Sequence, residues 1–512
     1  MKQLTNDEIS KAVSTALSAP NEDISREVMT MAGIRPDNIE KAITTGSGLI
    51  AYDLQAPAKN LYPVNTPLIK SIPRIGGGTG TATNWRQVNS IVGSGFDNTG
   101  WVPEGQRAGQ MSYTTSNKSV GYATIGEEDQ ATWEAISAGK TFEDIQARMT
   151  MRLLQKMMLK EEMAVLGGNT SLQLGTAGTP TLSASGTGAT LPALSPYSVI
   201  VIALTMEGFR NSSVAAGVAG TKTIAGADGK TFVVYGGSSI KSANATQAVT
   251  LGQSLFASVT PTTGAVAYAW YVGAAGSETL QKITPLNSVA FSAPLVTGTQ
   301  AASSIASVDY STNSTAYDGL LTTALKSGSG AYVNTLATGT AGTGTVLTSS
   351  GKGSVNEIDT MLQSQWDNNQ VSITCLWVNS QELKNITTKC LSSGSAPLLQ
   401  YFKDPGTGEV HITAGATVDF YYNPFLNGGM KIPVKIHPQV PPGTILGYAD
   451  DLPVQYQSNE VPNVCEMKVR RDYYQVDWPV TTRAQMVGVY AEEALAVYFP
   501  PALGVITNIA NG

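Results

Sequence analysis

The stretch "SIPRIGGGTGTATNWRQVNSIVGSG", residues 71–95, decides how this chain is to be read. Gly76, Gly77, Gly78 and Gly80 crowd together. Glycines do so where a backbone cradles phosphate, and also where a hairpin needs a pliant root. A dinucleotide fingerprint requires Gly-x-Gly-x-x-Gly between a strand and a helix, and counting from Gly76 puts Thr81 at the third position. A phosphate loop requires Gly-Lys-Ser/Thr, and no lysine follows. The residues that come next, ATNWRQV, are β-type rather than a helix start. The glycines therefore read as the flexible root of a hairpin, a hinge about which it swings.

Upstream, Pro57, Pro63, Pro67 and Pro73 rule out a helix over 52–73 and favour an extended arm. At ~3.3 Å per residue that arm reaches ~70 Å. Before it, residues 1–50 read as short helices. Thr5 and Glu8 form a capping box, and Asn21 caps a second helix that stops at Gly33. Downstream, TATNWRQVNSIV and SVGYATI flank a tip around GFDNTGWVPEGQRAGQ, so residues 74–126 form a long hairpin. It has no apolar face large enough to fold alone.

The texture then changes. Residues 127–162 hold 13 charged side chains in 36 positions. Thr141 and Asp144 cap a helix that runs to Gly167, with Ile145, Met149, Leu153 and Met157 repeating every fourth residue. About 26 helical residues make a rod of ~39 Å, a structural spine. From Gly175 to Gly351 only 11 of 177 residues are charged, and β-type runs such as SVIVIALTM and AVAYAWYVG alternate with Gly/Ser/Thr turns. That composition predicts one inserted β-sandwich with its core over Tyr197–Ser307. Residues 337–354 read as a flexible loop or linker. Beyond it, SVNEIDTMLQSQW and SQELKNITTKCL predict helices, the second capped by Ser380, around a buried strand VSITCLWVN. The region 409–485 is strand-like, and the chain ends on a closing strand. The class is α+β.

No constellation for catalysis emerges. His411 and His437 are the only imidazoles, neither lies in His-Glu-x-x-His, and no Gly-x-Ser-x-Gly elbow exists. Both read as strand-surface residues. Glu127/Glu128 and Glu492/Glu493 are adjacent, so on a strand each pair points apart, towards solvent or another subunit. The run Lys468, Arg470, Arg471 is diluted by Asp472 and Asp477 and reads as a basic strand edge. Cys375, Cys390 and Cys465 are odd in number and lack disulfide or zinc spacing, so they read as buried free thiols. A formal net charge of −6 gives no overall drive towards nucleic acid or anionic lipid. The opening MKQLTNDEISKAV has no apolar core, so no signal peptide is expected. The longest apolar run is far too short for a membrane span, and no cofactor or metal is expected.

Taken in order, the segments resemble a major capsid protein of tailed bacteriophages with the Hong-Kong-97-like fold. The resemblance rests on "NTPLIKSIPRIGGGTGTATNWRQV", "WVPEGQRAGQMSYTTSNKSVGYATIGEEDQATWEA", "LWVNSQELKNITTKCL", and "VPPGTILGYADDLPV" followed by "GVYAEEALAVYFPPALGVITNI". It implies an N-terminal arm over 1–73, an E-loop over 74–126 and a P-domain with the spine helix over 127–175. An inserted Ig-like sandwich over 176–316 departs from the family pattern. The P-domain resumes over 317–390, the A-domain spans 391–485, and 486–512 supplies the closing strand.

Such a protein is no enzyme. It assembles with copies of itself, as hexamers and pentamers, into an icosahedral shell around double-stranded DNA that it touches only non-specifically. Portal and scaffolding or cement proteins are implied as partners, and a virion location with assembly in the host cytoplasm. Some members weld subunits through a Lys–Asn bond; Lys118 is the only lysine of the hairpin, but no asparagine partner is identifiable, and that chemistry is not carried over.

The expected contact between copies sets the hairpin, with Trp85, Arg86, Trp101, Glu104, Arg107 and Lys118, over a neighbour's acidic stretch. That stretch is Glu127, Glu128, Asp129 and Glu134. With Arg74 included, the hairpin carries four cations against two carboxylates, Asp97 and Glu104. The alternative readings are another β-rich virion surface or adhesion protein, with the sandwich as its working part, and an enzyme.

Overall fold

The computed structural model describes residues 65–90, 100–108, 114–140, 144–226, 229–305, 307–349, 351, 353–392, 400–403, 410–413, 417–426, 429–452, 463–480 and 482–511. The helices expected within 1–50, most of the arm, Asp97, Thr141 and the side chain of His411 lie outside them. The chain divides into two compact units, 1–63 with 137–144, and 64–136 with 145–512. The second carries nearly all the described elements.

The first helix among the described residues, α1 (Pro67–Ser71), falls where an extended arm was expected. Pro67 sits at its start, where the missing N–H costs nothing, and Pro73 follows its end. A short strand β1 (Arg74–Ile75) leads to β2 (Ala82–Ser90), which pairs antiparallel with β3 (Thr114–Gly121). β4 (Ala123–Thr132) runs into helix α2 (Trp133–Gly139), and α3 (Ile145–Gly167) is the long helix. Its Met149, Leu153 and Met157 are buried against Ala131, Val487, Val489 and Ala491. The fourth-residue repeat in the sequence is thus the stripe that lies on a sheet.

A β-rich stretch follows. β5 (Thr181–Ser185), β6 (Leu194–Leu204), α4 (Met206–Asn211), β7 (Thr221–Ala225) and β8 (Thr231–Tyr235) come first. β9 (Ala245–Val249), β10 (Ser254–Ser258), β11 (Ala267–Ala274), β12 (Thr279–Thr284) and β13 (Ser288–Phe291) complete it. Two sheets, β13-β10-β5 and β12-β11-β6-β9, pack face to face. Val199, Val201, Tyr268 and Trp270 meet Leu255, Ala257 and Phe291 between them. The intervening Ile202, Leu204, Ala269 and Tyr271 fill a second core on the outer side. Two cores explain why SVIVIALTM and AVAYAWYVG are continuously apolar rather than alternating. The hairpin β7–β8 belongs to neither sheet.

The remaining elements are α5 (Leu320–Leu325), β14 (Tyr332–Thr335), α6 (Asn356–Asn369), β15 (Cys375–Val378) and α7 (Ser380–Ser392). β16 (Gln400–Lys403) pairs with β17 (Val410–Thr413). β18 (Phe420–Asn423), β19 (Met430–Ile436), β20 (Ile445–Tyr448), β21 (Cys465–Asp477), β22 (Ala484–Val497) and β23 (Leu503–Thr507) end the chain. A mixed sheet of order β14-β23-β20-β15-β19-β18 carries α6 and α7 on one face. Its other face shares a core with the sheet β1-β21-β22-β4 and the end of α3, around Trp377, Tyr448, Met467 and Leu166. The segment 391–485 is thereby divided, β18–β20 in the mixed sheet, β21 in the other, and β16 with β17 in a two-stranded sheet of their own.

Two local expectations are corrected. Asn379, not Ser380, caps α7, its Oδ1 accepting the Gln381 N–H at 3.1 Å. The tract 337–354 is no free linker over its described part. Ala510 N–H donates to the Thr345 carbonyl at 2.8 Å, and Gly342 N–H to Ser288 Oγ at 3.2 Å. The three cysteines are buried, as expected, and burial pushes the Cys375 and Cys465 thiols up to about 12.

Candidate assembly surface

The hairpin β2–β3 is held at its root. Gly77 and Gly80 take φ of +86° and +75°, which only glycine adopts freely, and a side chain at Gly78 would strike Tyr122. Gly78 N–H donates to the Val469 carbonyl at 3.1 Å, and Arg470 Nη1 donates to the Gly80 carbonyl at 2.7 Å. The glycine loop is thus laid along β21 and fastened to it, where the sequence led us to expect a free hinge. Trp85 packs edge-on to Tyr498, ring centroids 5.3 Å apart, and anchors the inner end.

Beyond the root the described side chains of the hairpin are largely exposed. Arg86 stands opposite Asn117 and donates to its Oδ1 at 3.3 Å, while Lys118, opposite Trp85, faces solvent. At the tip, Gln106 N–H closes a turn onto the Pro103 carbonyl, and Glu104 and Arg107 are exposed. Trp101 is 93% exposed. A tryptophan so placed is an apolar side chain that nothing in its own chain covers among the described residues.

The acidic stretch is engaged within the chain. Glu127 is shared by Lys156, at 3.1 Å, and Lys160 on α3. Glu128 accepts from the Tyr490 hydroxyl, Asp129 accepts its neighbour Gln130 N–H at 2.9 Å, and Glu134 pairs with Arg483 at 2.6 Å. Among the described residues no ion pair joins Arg86, Arg107 or Lys118 to these carboxylates. The two groups of expected contact residues are not brought together in one chain.

Beneath this surface lies a charge cluster that the sequence reading missed. Arg74, counted with the hairpin cations, instead bonds Glu161, Asp472 at 2.7 Å and Glu493 at 3.4 Å, and stacks over Tyr473. Glu161 and Glu493 are fully buried. Burial pushes the Glu493 carboxyl up to about 8, and the charge of Glu161 adds to it. Burial and the same carboxylates hold the Tyr317 hydroxyl, which donates to Glu493 at 3.0 Å, well above its ordinary value. Burial opposes the Arg74 charge, but Glu161 and its acidic neighbours outweigh burial and raise the guanidinium further.

Glu162, next along α3, takes the opposite side. It accepts the Leu68 and Ile69 N–H groups, at 2.8 and 2.9 Å, and the His437 Nε2 proton at 2.6 Å. His437 Nδ1 accepts from Gln439 N–H at 3.0 Å, which leaves the ring proton on Nε2. His437 and Glu493, read from sequence as surface groups, are therefore buried. The adjacent carboxylates of α3 clamp residues 67–75 to the body, one through α1 and one through Arg74. A signal existed: the stripe Met149, Leu153, Met157 continues on to Glu161 and Val165, and all five are buried.

Among the described residues no group of three or more His, Cys, Asp or Glu is placed to hold a metal, and no helix is long and apolar enough to cross a membrane. The architecture is that of a mixed α+β protein with several sheets and a protruding hairpin. No family model and no curated protein matches the chain. Among solved structures it is similar to the capsid of an empty GTA particle, at 9% identity over 92% of this chain and 99% of that one, with a TM-score of 0.40. For Mycobacterium phage Bobi the identity is 9%, the coverage 90% and 95%, and the TM-score 0.38. For the capsid of Myoviridae phage XM1 they are 9%, 91% and 100%, and 0.38.

Proposed function

We propose that this chain is a structural subunit, a major capsid protein of the tailed-bacteriophage kind, which assembles with copies of itself into a closed shell around double-stranded DNA. The observation that carries the reading is the hairpin Ala82–Gly121, fastened at its root and carrying a 93%-exposed tryptophan at its described tip. A two-stranded ribbon is marginal by itself and gains its buried area only on a partner. The quoted sequence phrases and the order of elements agree with this role. A clamped segment at 67–75 precedes the hairpin, a long helix lies across a sheet behind it, and a β-rich body and a mixed sheet follow.

On this reading 1–73 is the arm and the hairpin is the E-loop. The α3 helix with the β1-β21-β22-β4 sheet is the P-domain, and residues 176–316 are an inserted domain. The strands β18–β20 belong to the A-domain near the centre of a hexamer or pentamer. Portal, scaffolding or cement proteins are further partners. The role needs no catalytic group. Sedimentation velocity of the purified protein tests it: shells, hexamers or pentamers are expected, and a monomer at all concentrations would overturn the reading.

A further inference from the structure

The Arg74 guanidinium faces three carboxyl groups: Glu161 of α3, Glu493 of β22 and Asp472 of β21. Tyr473 donates its hydroxyl to Glu161, and Tyr317 donates to Glu493 at 3.0 Å. Asp472 lies at the solvent edge, whereas Glu161 and Glu493 are fully buried. These two carboxyls are hydrogen-bonded to each other, a contact that needs a proton on one of them. Their chain neighbours face elsewhere. Glu162 holds His437 and α1, and Glu492 accepts from Arg470 and Tyr474 on the other side of its strand. The charge of the closed cluster therefore turns on one proton. With it, Arg74 meets a single buried carboxylate; without it, two buried carboxylates share one guanidinium.

What the cluster fastens is held lightly. β1 consists of Arg74 and Ile75 alone, in parallel register with Met467 and Lys468. Past it, a Cβ added at Gly76, Gly77 or Gly80 would meet nothing within 4 Å, so the glycine loop is not packed. It is tied to β21 by the Gly78 N–H on the Val469 carbonyl and by Arg470 on the Gly80 carbonyl. Upstream the hold is firmer, with Leu68 and Ile72 in the core and Glu162 on the Leu68 and Ile69 N–H groups. Arg74 Nε is buried with no partner among the described residues, so the closed state already carries an unmet donor.

We propose that Arg74, Glu161 and Glu493 form a proton-held latch: residues 73–80 lie closed on β21 while Glu493 keeps its proton, and detach locally as it ionises, with α1 left in place. Opening admits water to both carboxylates and releases the guanidinium. The latch is a property of the single chain and does not depend on assembly. Burial and Glu161 push the Glu493 carboxyl up to about 8 in the closed form, against 4.5 for a hydrated one. The closed form is therefore fully stabilised below about pH 4.5 and loses that support as the pH climbs to about 8. One proton is involved, so the open fraction rises about tenfold per pH unit inside this window and levels off above it.

Hydrogen exchange of the full chain tests this, read by mass spectrometry on a peptide over 73–81 and corrected for the intrinsic pH dependence of exchange. Between pH 5 and 8 the wild-type protection of that peptide is expected to fall about tenfold per unit, and to stay below that of α3 throughout. In Glu493→Gln the protection is expected to remain flat. Glu161→Gln removes the neighbouring charge, so there the fall is expected to level off at a lower pH than in the wild type; this variant keeps the test open if Glu493→Gln does not fold. Protection equal to that of α3 at every pH would show that the segment opens only with the whole fold, and would overturn the latch. A wild-type protein without pH dependence would overturn it too, as would a slope that survives unchanged in the variants.

Discussion

A carboxyl group sealed beside another carboxylate keeps its proton, and Glu493 is such a group. Burial and the neighbouring Glu161 push it up to about 8 from an ordinary 4.5. Folding therefore takes up a proton between these values. The stability that this group contributes is complete below about pH 4.5 and is lost as the pH climbs to about 8. Glu493→Gln fixes the neutral form, so its melting temperature is expected to fall less than that of the wild type between pH 5 and 8. Parallel melting curves in that window would contradict the assignment. Glu162→Ala strands two backbone N–H groups and the His437 Nε2 proton in a buried place. A loss on the order of 3 kcal/mol is expected in urea titration. Of this, only the burial of Glu161 was legible in the sequence, as the continuation of the α3 stripe. Neighbouring charges on a strand look solvated until one knows which of the two faces is covered, and Arg74 meets Glu161 and Glu493 only after the chain has closed.

Elements were read more easily than residues, because a long period averages over local exceptions. The stripe on α3 and the two apolar runs of the β-rich body were all legible, since each repeats one physical demand. The short helix at Pro67 and the turns of 337–349 were not. The first is too short to show a period, and the second takes its order from distant partners. The β-rich body is joined to the closing strand in the same long-range way. Asn508 and Asn287 exchange hydrogen bonds, Oδ1 accepting Asn287 N–H at 3.0 Å and Nδ2 donating to Asn287 Oδ1 at 3.0 Å. Asn508 Nδ2 also donates to the Leu336 carbonyl at 2.8 Å. Its φ of +63° lies in the left-handed region, so Asn508→Gly removes the amide without adding strain. A loss of about 2 kcal/mol is expected in chemical denaturation, and an unchanged midpoint would show that the joint carries no load.

At the scale of the whole molecule, the feature that bears on assembly is the apolar surface at the described tip of the long hairpin, Trp101 and Val102. Tryptophan is highly buried on average, and Trp101 is 93% exposed. Aromatic anchors of this kind dominate the contacts they make, so Trp101→Ala is expected to raise the concentration needed for assembly by about tenfold or more without changing the melting temperature of the subunit. The hairpin was visible in the sequence as two β runs around a glycine-rich tip. Its fastening along β21 was not, since that depends on Gly78, Val469 and Arg470 meeting across the fold. The most direct measurement is negative-stain microscopy of the full chain beside a variant whose residues 88–116 are replaced by a two-residue turn. Closed shells from the full chain, and folded subunits without shells from the shortened one, are expected. Shells that close equally well without the hairpin would contradict its role as the element that joins one copy to the next.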